Sequence, residues 1–246
     1  MMQKLLSFGL VIALLPVLGY ICMTLGFRLG VIDFGAVFNG LKFIVPALML
    51  AVVVLLAVAL GSFMGGRPGQ ASLSLLSAFA AFAMILGPLQ MKKQGETVPP
   101  IHDISTDTQD PPAFVTAAPL RKAGENPAAY DRAQTARQVE AYPDLVPLSL
   151  ELSTEDAFEI CLQAVEDAGL ELLDQQKEEG RIEAVATSRW FGFKDDVVLR
   201  IRPQAEGGSI VDIRSKSRIG VSDLGANAAR IRGLREDILA LAENQS

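Results

Sequence analysis

The sequence predicts an α+β membrane protein: three N-terminal transmembrane helices followed by a four-stranded antiparallel sheet with two flanking helices. Three observations carry this. Apolar residues make up half of the 246-residue chain and crowd between Leu5 and Leu89. An acidic, proline-rich stretch follows them. Beyond Ser153 a helical repeat of apolar positions gives way to short alternating runs and then returns. A mean hydropathy of +0.32 in a chain with so polar a C-terminal part calls for a bilayer.

A helix needs about 20 apolar residues to cross the hydrocarbon core. Residues 5–25, 43–63 and 72–90 meet that length and contain no Asp, Glu, Lys, Arg or His. The first run is too long for a cleavable signal and is closed by Arg28 rather than by a small-residue cleavage site. Between the first two spans, Phe27, Val31, Phe34 and Phe38 recur at near-helical spacing. They suggest a short helix in the membrane interface, with Arg28, Asp33 and Lys42 reaching water. Residues 64–71, Gly-rich with Pro68, read as a tight turn. Spans without ionisable groups suit an anchor better than an ion or proton pathway. Ser74, Ser77, Ala78, Ala81 and Ala83 offer small side chains for close helix packing.

Three crossings put the termini on opposite sides. Lys4, the terminal amine and Arg67 stand on one side, against Arg28, Lys42, Lys92 and Lys93 on the other. Counted literally, these place the C-terminal domain in the cytoplasm. A short N-terminal tail carrying Lys4 ordinarily stays cytoplasmic, which exports the domain instead.

Three regions follow: a membrane domain over 1–92, an extended arm over 93–147, and a soluble α+β domain over 148–246. The arm's prolines forbid continuous helix or strand. Ile101, Ile104, Phe114, Val115, Tyr130 and Tyr142 nevertheless give it apolar anchors, so it is expected to pack over the core. Ser153-Thr154-Glu155-Asp156 starts a helix with a cap and acids in the first turn. Phe158, Cys161, Leu162 and Val165 form its stripe, and Gly169 ends it. Strands are expected over 170–176, 181–188, 196–202 and 209–217. Ile182, Ala184, Ala186, Val197, Leu199, Ile201, Val211 and Ile213 share one face. The other carries Arg181, Arg200, Arg202, Arg214 and Lys216, with Glu183 and Asp212 among them. A last helix spans 225–242, with Ala228, Ile231, Leu234, Ile238 and Leu241 inward.

A net charge of −6 argues against a nucleic-acid partner, which needs an excess of cations to displace counterions. Cys22 and Cys161 lie in different regions and imply no disulfide.

Two constellations could carry chemistry. Asp103, Asp107 and Asp110 offer oxygen ligands to a hard metal cation, although the spacing is not that of an EF-hand. Turn capping is the alternative. A hydrolase using this region is the enzymatic reading; His102, the chain's single histidine, adjoins Asp103 in an extended arm, where neighbours point opposite ways, so Asp103 is not expected to orient it. The second set is Trp190, Arg200, Arg202, Arg214, Lys216 and Arg218, which suit an anionic ligand or a lipid headgroup. Against it stands an ion-paired sheet surface neutralised by Asp195, Asp196, Asp212 and Asp223. The sequence does not identify a cofactor. The partners this suggests are the lipid bilayer and an anionic ligand or a membrane protein.

Four blocks are specific. They are Ile101 to Thr108 with Asp110-Pro111-Pro112-Ala113-Phe114; Ala141-Tyr142-Pro143-Asp144; Trp190 to Asp196; and Asp212 to Gly220 continuing through Ser222-Asp223-Leu224-Gly225 to Asn227. In this order they resemble the domain-of-unknown-function family 1499, from about residue 98 to the C-terminus. The resemblance brings no activity. Relatives of this kind resemble bacterial envelope or plastid proteins; of these the resemblance implies a bacterial inner-membrane protein and tips the domain toward the periplasmic side.

Overall fold

The computed structural model describes residues 2–244, with side chains from Phe8 onward. The Lys4 charge counted above lies outside the described side chains. The chain forms two compact units, Met1–Glu96 and Thr97–Ser246.

The first unit is three helices: α1 (Met2–Arg28), α2 (Phe34–Met64) and α3 (Pro68–Thr97). All three are long and apolar enough to cross a membrane, so the protein is a membrane protein. The separate interfacial helix expected between the first two spans is absent. α1 continues through Arg28, and α2 starts at Phe34, where the Asp33 carboxylate accepts the Ala36 N–H at 2.9 Å. Only the turn 29–33 remains, with Gly30 at φ 71. Lys42 then lies on α2, its ammonium 4.9 Å from the Phe38 ring centroid. Pro68 opens α3, where a missing N–H costs nothing. Ala71, Ser74, Ala78, Ala81 and Ile85 are the buried residues of α3, recurring at alternating steps of three and four. Ala13, Ala51, Leu55 and Ala78 form one packed cluster of this unit. The large apolar side chains pointing outward, such as Phe43, Phe63 and Phe79, are the surface a hydrocarbon solvent accepts.

The second unit is α+β, with six strands rather than the four expected: β1 (Asp103–Ser105), β2 (Leu148–Leu150), β3 (Glu171–Gln176), β4 (Arg181–Thr187), β5 (Lys194–Pro203) and β6 (Ser209–Ser217). The order is β1-β6-β5-β4-β3, and all pairings are antiparallel. β1 and β2 lie end to end along one edge of β6, with Asp103 opposite Lys216 and Leu148 opposite Val211. Each is three residues long, too short to display an alternating pattern. β5 also begins earlier than expected, because Lys194 and Asp195 continue the ladder against Thr187 and Ser217.

α5 (Thr154–Asp167) and α6 (Ala226–Glu243) cover one face of the sheet. Phe158, Cys161 and Val165 meet Ile182, Val197, Leu199, Ile213, Ile231, Leu234 and Ile238 in a single core. Ser153 Oγ accepts the Asp156 N–H at 3.1 Å, and Gly169 at φ 66 turns the chain out of α5. Gly180 joins β3 to β4 at φ 60, and a Cβ there would run into the Ile201 carbonyl oxygen. Gly180→Ala is therefore expected to cost more than the ~1 kcal/mol of a left-handed alanine, since main chain must also move. A denaturant melt of the intact protein in micelles checks this, and an unchanged midpoint refutes it.

The opposite face is covered by the arm. Phe114 and Ala117 pack on Val198, with Ala118, Ala128 and Leu173 around them. α4 (Thr135–Ala141) pins the arm's start: the Gln138 side chain accepts the Ser105 N–H at 3.1 Å and donates to the Ser105 carbonyl at 2.6 Å.

Candidate functional site

Alternation along β4, β5 and β6 sends Glu183, Asp196, Arg200, Arg202, Asp212, Arg214 and Lys216 toward the arm. The register sets these charges in cross-strand rows. Asp196 stands opposite Lys216, which stands opposite Asp103; Glu183 stands opposite Val198, which stands opposite Arg214.

Each row is closed by pairing. The Asp103 carboxylate, fully buried, accepts from Arg214 Nε and Nη2 at 2.8 and 2.9 Å and from Lys216 Nζ at 2.9 Å. Burial pushes the Asp103 pKa up, but the Arg214 and Lys216 cations outweigh it and hold it below the usual carboxylate value. The remaining donors of these cations go to main chain: Arg214 to the Pro112 and Ala128 carbonyls at 2.9 Å each, Lys216 to that of Ala129 at 2.7 Å. The Arg214 guanidinium lies 4.6 Å from the Phe114 ring centroid. Asp196 is shared by Arg121 of the arm at 2.7 Å and Arg218 at 2.6 Å. Asp212 takes Arg200 and Arg202 on one oxygen, at 2.9 and 2.7 Å; its other oxygen is buried without a hydrogen bond. Glu183, fully buried, accepts three consecutive arm N–H groups, from Val115, Thr116 and Ala117, at 2.8, 3.0 and 2.8 Å. Arg181 also pairs with it.

The three arm aspartates are directed at cations as well. Asp103 is held as described. Asp107 and Asp110 both reach Arg200, at 3.2 and 2.9 Å, and Asp107 Oδ1 accepts the N–H groups of Gln109 and Asp110. Among the described residues no group of three or more His, Cys, Asp and Glu side chains is placed to hold a metal ion. His102 is buried beside Gln134, whose side-chain nitrogen lies 3.2 Å from Nδ1. Burial, aided by Lys216, lowers its pKa, so the ring is neutral at pH 7. Cys161, fully buried in the core, has its thiol pushed up to about 12 and is inert.

Trp190 stands apart from the basic set. It lies in the turn 188–193 between β4 and β5, whereas Arg202 lies at the far end of β5, eight residues along the strand from Lys194, or about 26 Å. A ligand of headgroup size does not span that distance. Arg214, Lys216 and Arg218 are buried beneath the arm; Arg200 is partly so, and Arg202 keeps 42 % of its side chain exposed.

The turn itself is firmly built. The Ser188 N–H donates to the Phe193 carbonyl at 2.9 Å, and Ser188 Oγ accepts the Phe193 N–H at 2.9 Å. Gly192 takes φ 75, and the Phe191 and Phe193 rings stack at 5.3 Å. Phe191 is buried, while Trp190 remains 62 % exposed between the exposed Arg189 and, past the turn, Lys194. The Lys194 carbonyl accepts the Arg218 N–H, which sets the loop 218–225 beside the hairpin base. In that loop Val221 is 78 % exposed. The loop's far side is fixed by Asn227, whose amide donates to the His102 carbonyl and Ser217 Oγ while Ser215 and Arg230 donate to its oxygen. Asp223 accepts the Gly225 and Asn227 N–H groups. Burial raises the Asp223 pKa.

Glu183, Arg121 and Asn227 organise this geometry; the strand period placed Glu183 on its face, but no local pattern marked any of the three as an anchor. Glu183 sits on a strand face rich in arginine, and its donors lie 66 to 68 positions earlier in the chain. No curated protein matches the sequence. Over residues 103–238, more than half of the chain, the sequence matches the family described as Protein of unknown function (DUF1499), and the chain belongs to that family.

Proposed function

We propose that this membrane-anchored protein is a binding or scaffolding module of the bacterial inner membrane, its folded domain on the periplasmic side. The surface that meets a partner is the end of the sheet carrying the 188–193 turn. One observation carries this: Trp190 is 62 % exposed on a turn fixed by hydrogen bonds, between exposed basic residues. A rigid, exposed aromatic costs little conformational entropy to bury in a complex. The basic strand residues instead hold the arm, through carboxylates of this same chain. The periplasmic assignment is supported by Lys4, which flanks the first span on its cytoplasm-favouring side, and by the three described spans that separate it from the folded domain.

A photo-crosslinking phenylalanine at position 190 of the full chain, in native membranes, is expected to give a discrete adduct with lipid or protein. The same probe at Arg202 is the control. No adduct at 190 beyond that control overturns the reading. A C-terminal tag is expected to become protease-accessible once the outer membrane is permeabilised. Protection until the inner membrane is lysed reverses the orientation.

A further inference from the structure

We propose that the 188–194 turn is an interfacial anchor that takes an anionic lipid surface, with Trp190 seated at headgroup depth. This rests on the reading of that end of the sheet as the meeting surface and names what it meets. Three observations converge.

The first is the chemistry of the tip. An indole with an apolar body and one N–H donor suits the boundary between hydrocarbon and water, and neighbouring Arg and Lys add attraction to lipid phosphates. The sequence Arg189-Trp190-Phe191-Gly192-Phe193-Lys194 presents this combination. Lys194 makes only a loose pair with Glu171, at 3.8 Å, with both side chains well exposed.

The second is the distribution of exposed apolar area. Among the described side chains of residues 97–244, Val221 at 78 % and Trp190 at 62 % are the most exposed of the large apolar ones. Both stand on the loops at this one end of the sheet, joined through the bond from Arg218 N–H to the Lys194 carbonyl.

The third is the local charge. The protein as a whole carries −6, so approach to an anionic surface needs a locally basic face, and Arg189 and Lys194 supply it.

Trp190 is the chain's single tryptophan, so its emission reports this one position. The intact protein is reconstituted in nanodiscs of phosphatidylcholine, alone or with phosphatidylglycerol, with and without brominated acyl chains. With phosphatidylglycerol present, brominated lipid is expected to quench Trp190 at least about twofold more than in phosphatidylcholine alone. High salt, or the double variant Arg189→Gln/Lys194→Gln, is expected to abolish the difference. A circular-dichroism spectrum and a melting midpoint unchanged from the parent show that the variant's domain is folded. Equal quenching in both bilayers overturns the anionic preference. Full iodide accessibility of Trp190 in every bilayer overturns the anchor altogether. In that last case a protein adduct at position 190 leaves the binding-module reading standing, and its absence removes both.

Discussion

Asp103→Asn is expected to destabilise the C-terminal unit by about 3–5 kcal/mol, the cost of leaving buried cations without their counter-charge. The Asp103 carboxylate lies between Arg214 and Lys216, with all three side chains almost completely buried. Asparagine keeps the shape and one acceptor but removes the charge, so two cations remain in a low-dielectric layer that water does not reach. Cys161 provides the readout, because its fully buried thiol, pushed up to about 12, reacts only when the core opens. In a Cys22→Ser background, pulse labelling of Cys161 is expected to speed up by about two to four orders of magnitude, the factor that such a free-energy loss implies. Labelling within threefold of the parent would show that the pair is dispensable. Acid acts on the same carboxylate. Its pKa is lower folded than unfolded, so its stabilisation is complete above the unfolded value of about 3.9 and lost as pH falls through the folded one. The variant is expected to lack that portion of the parent's acid-induced labelling.

Glu183→Ala is expected to release the arm while the helix-covered core stays closed. Its carboxylate takes three main-chain N–H groups and faces Arg181, and alanine supplies no acceptor for any of them. Removing a charged acceptor from buried donors costs about 3–5 kcal/mol. The Phe114–Ala117–Val198 contact that remains is small. Amide exchange at 115–117 is expected to lose its protection, and trypsin is expected to cut after Arg121, which in the intact protein is held by Asp196 and the Asn126 and Lys216 carbonyls. Cys161 labelling should change far less than in Asp103→Asn. If both variants labelled Cys161 equally, arm and core would be one cooperative unit. Glu183→Gln, which retains one acceptor oxygen, should fall between alanine and the parent.

The spans, both long helices of the C-terminal unit and the strands from residue 171 to 217 were legible because each is long enough for its period to repeat. β1 and β2 were not: with three residues each, they are strands only because the free edge of β6 offers them partners. The putting of Arg214, Lys216, Glu183 and Asp212 on one face followed from period two alone. What period two does not encode is the identity of the counter-charges. Asp103 and Arg121 lie in a stretch whose composition suggests only an irregular covering segment. Their placement against Arg214 and Asp196 depends on contacts 111 and 75 positions apart. The exposure of Trp190 was likewise hidden, because Phe191 and Phe193 share its turn, and only Phe191 of the flanking pair is fully turned inward.

Glu183 grips the arm through peptide nitrogens, not through side chains, and this sets which sequences the segment tolerates. At position 115 the side chain points to solvent, 55 % exposed, so nearly any residue can stand there. Thr116 adds a hydroxyl bond to Asp174 that is local to it, and Ala117 is confined by its fully buried Cβ. Proline is the single residue type barred from all three positions, since each must present an N–H to the same carboxylate. Divergent relatives are thus free to rewrite the letters at 115 and 116 while keeping the lock, provided the acid opposite them is retained.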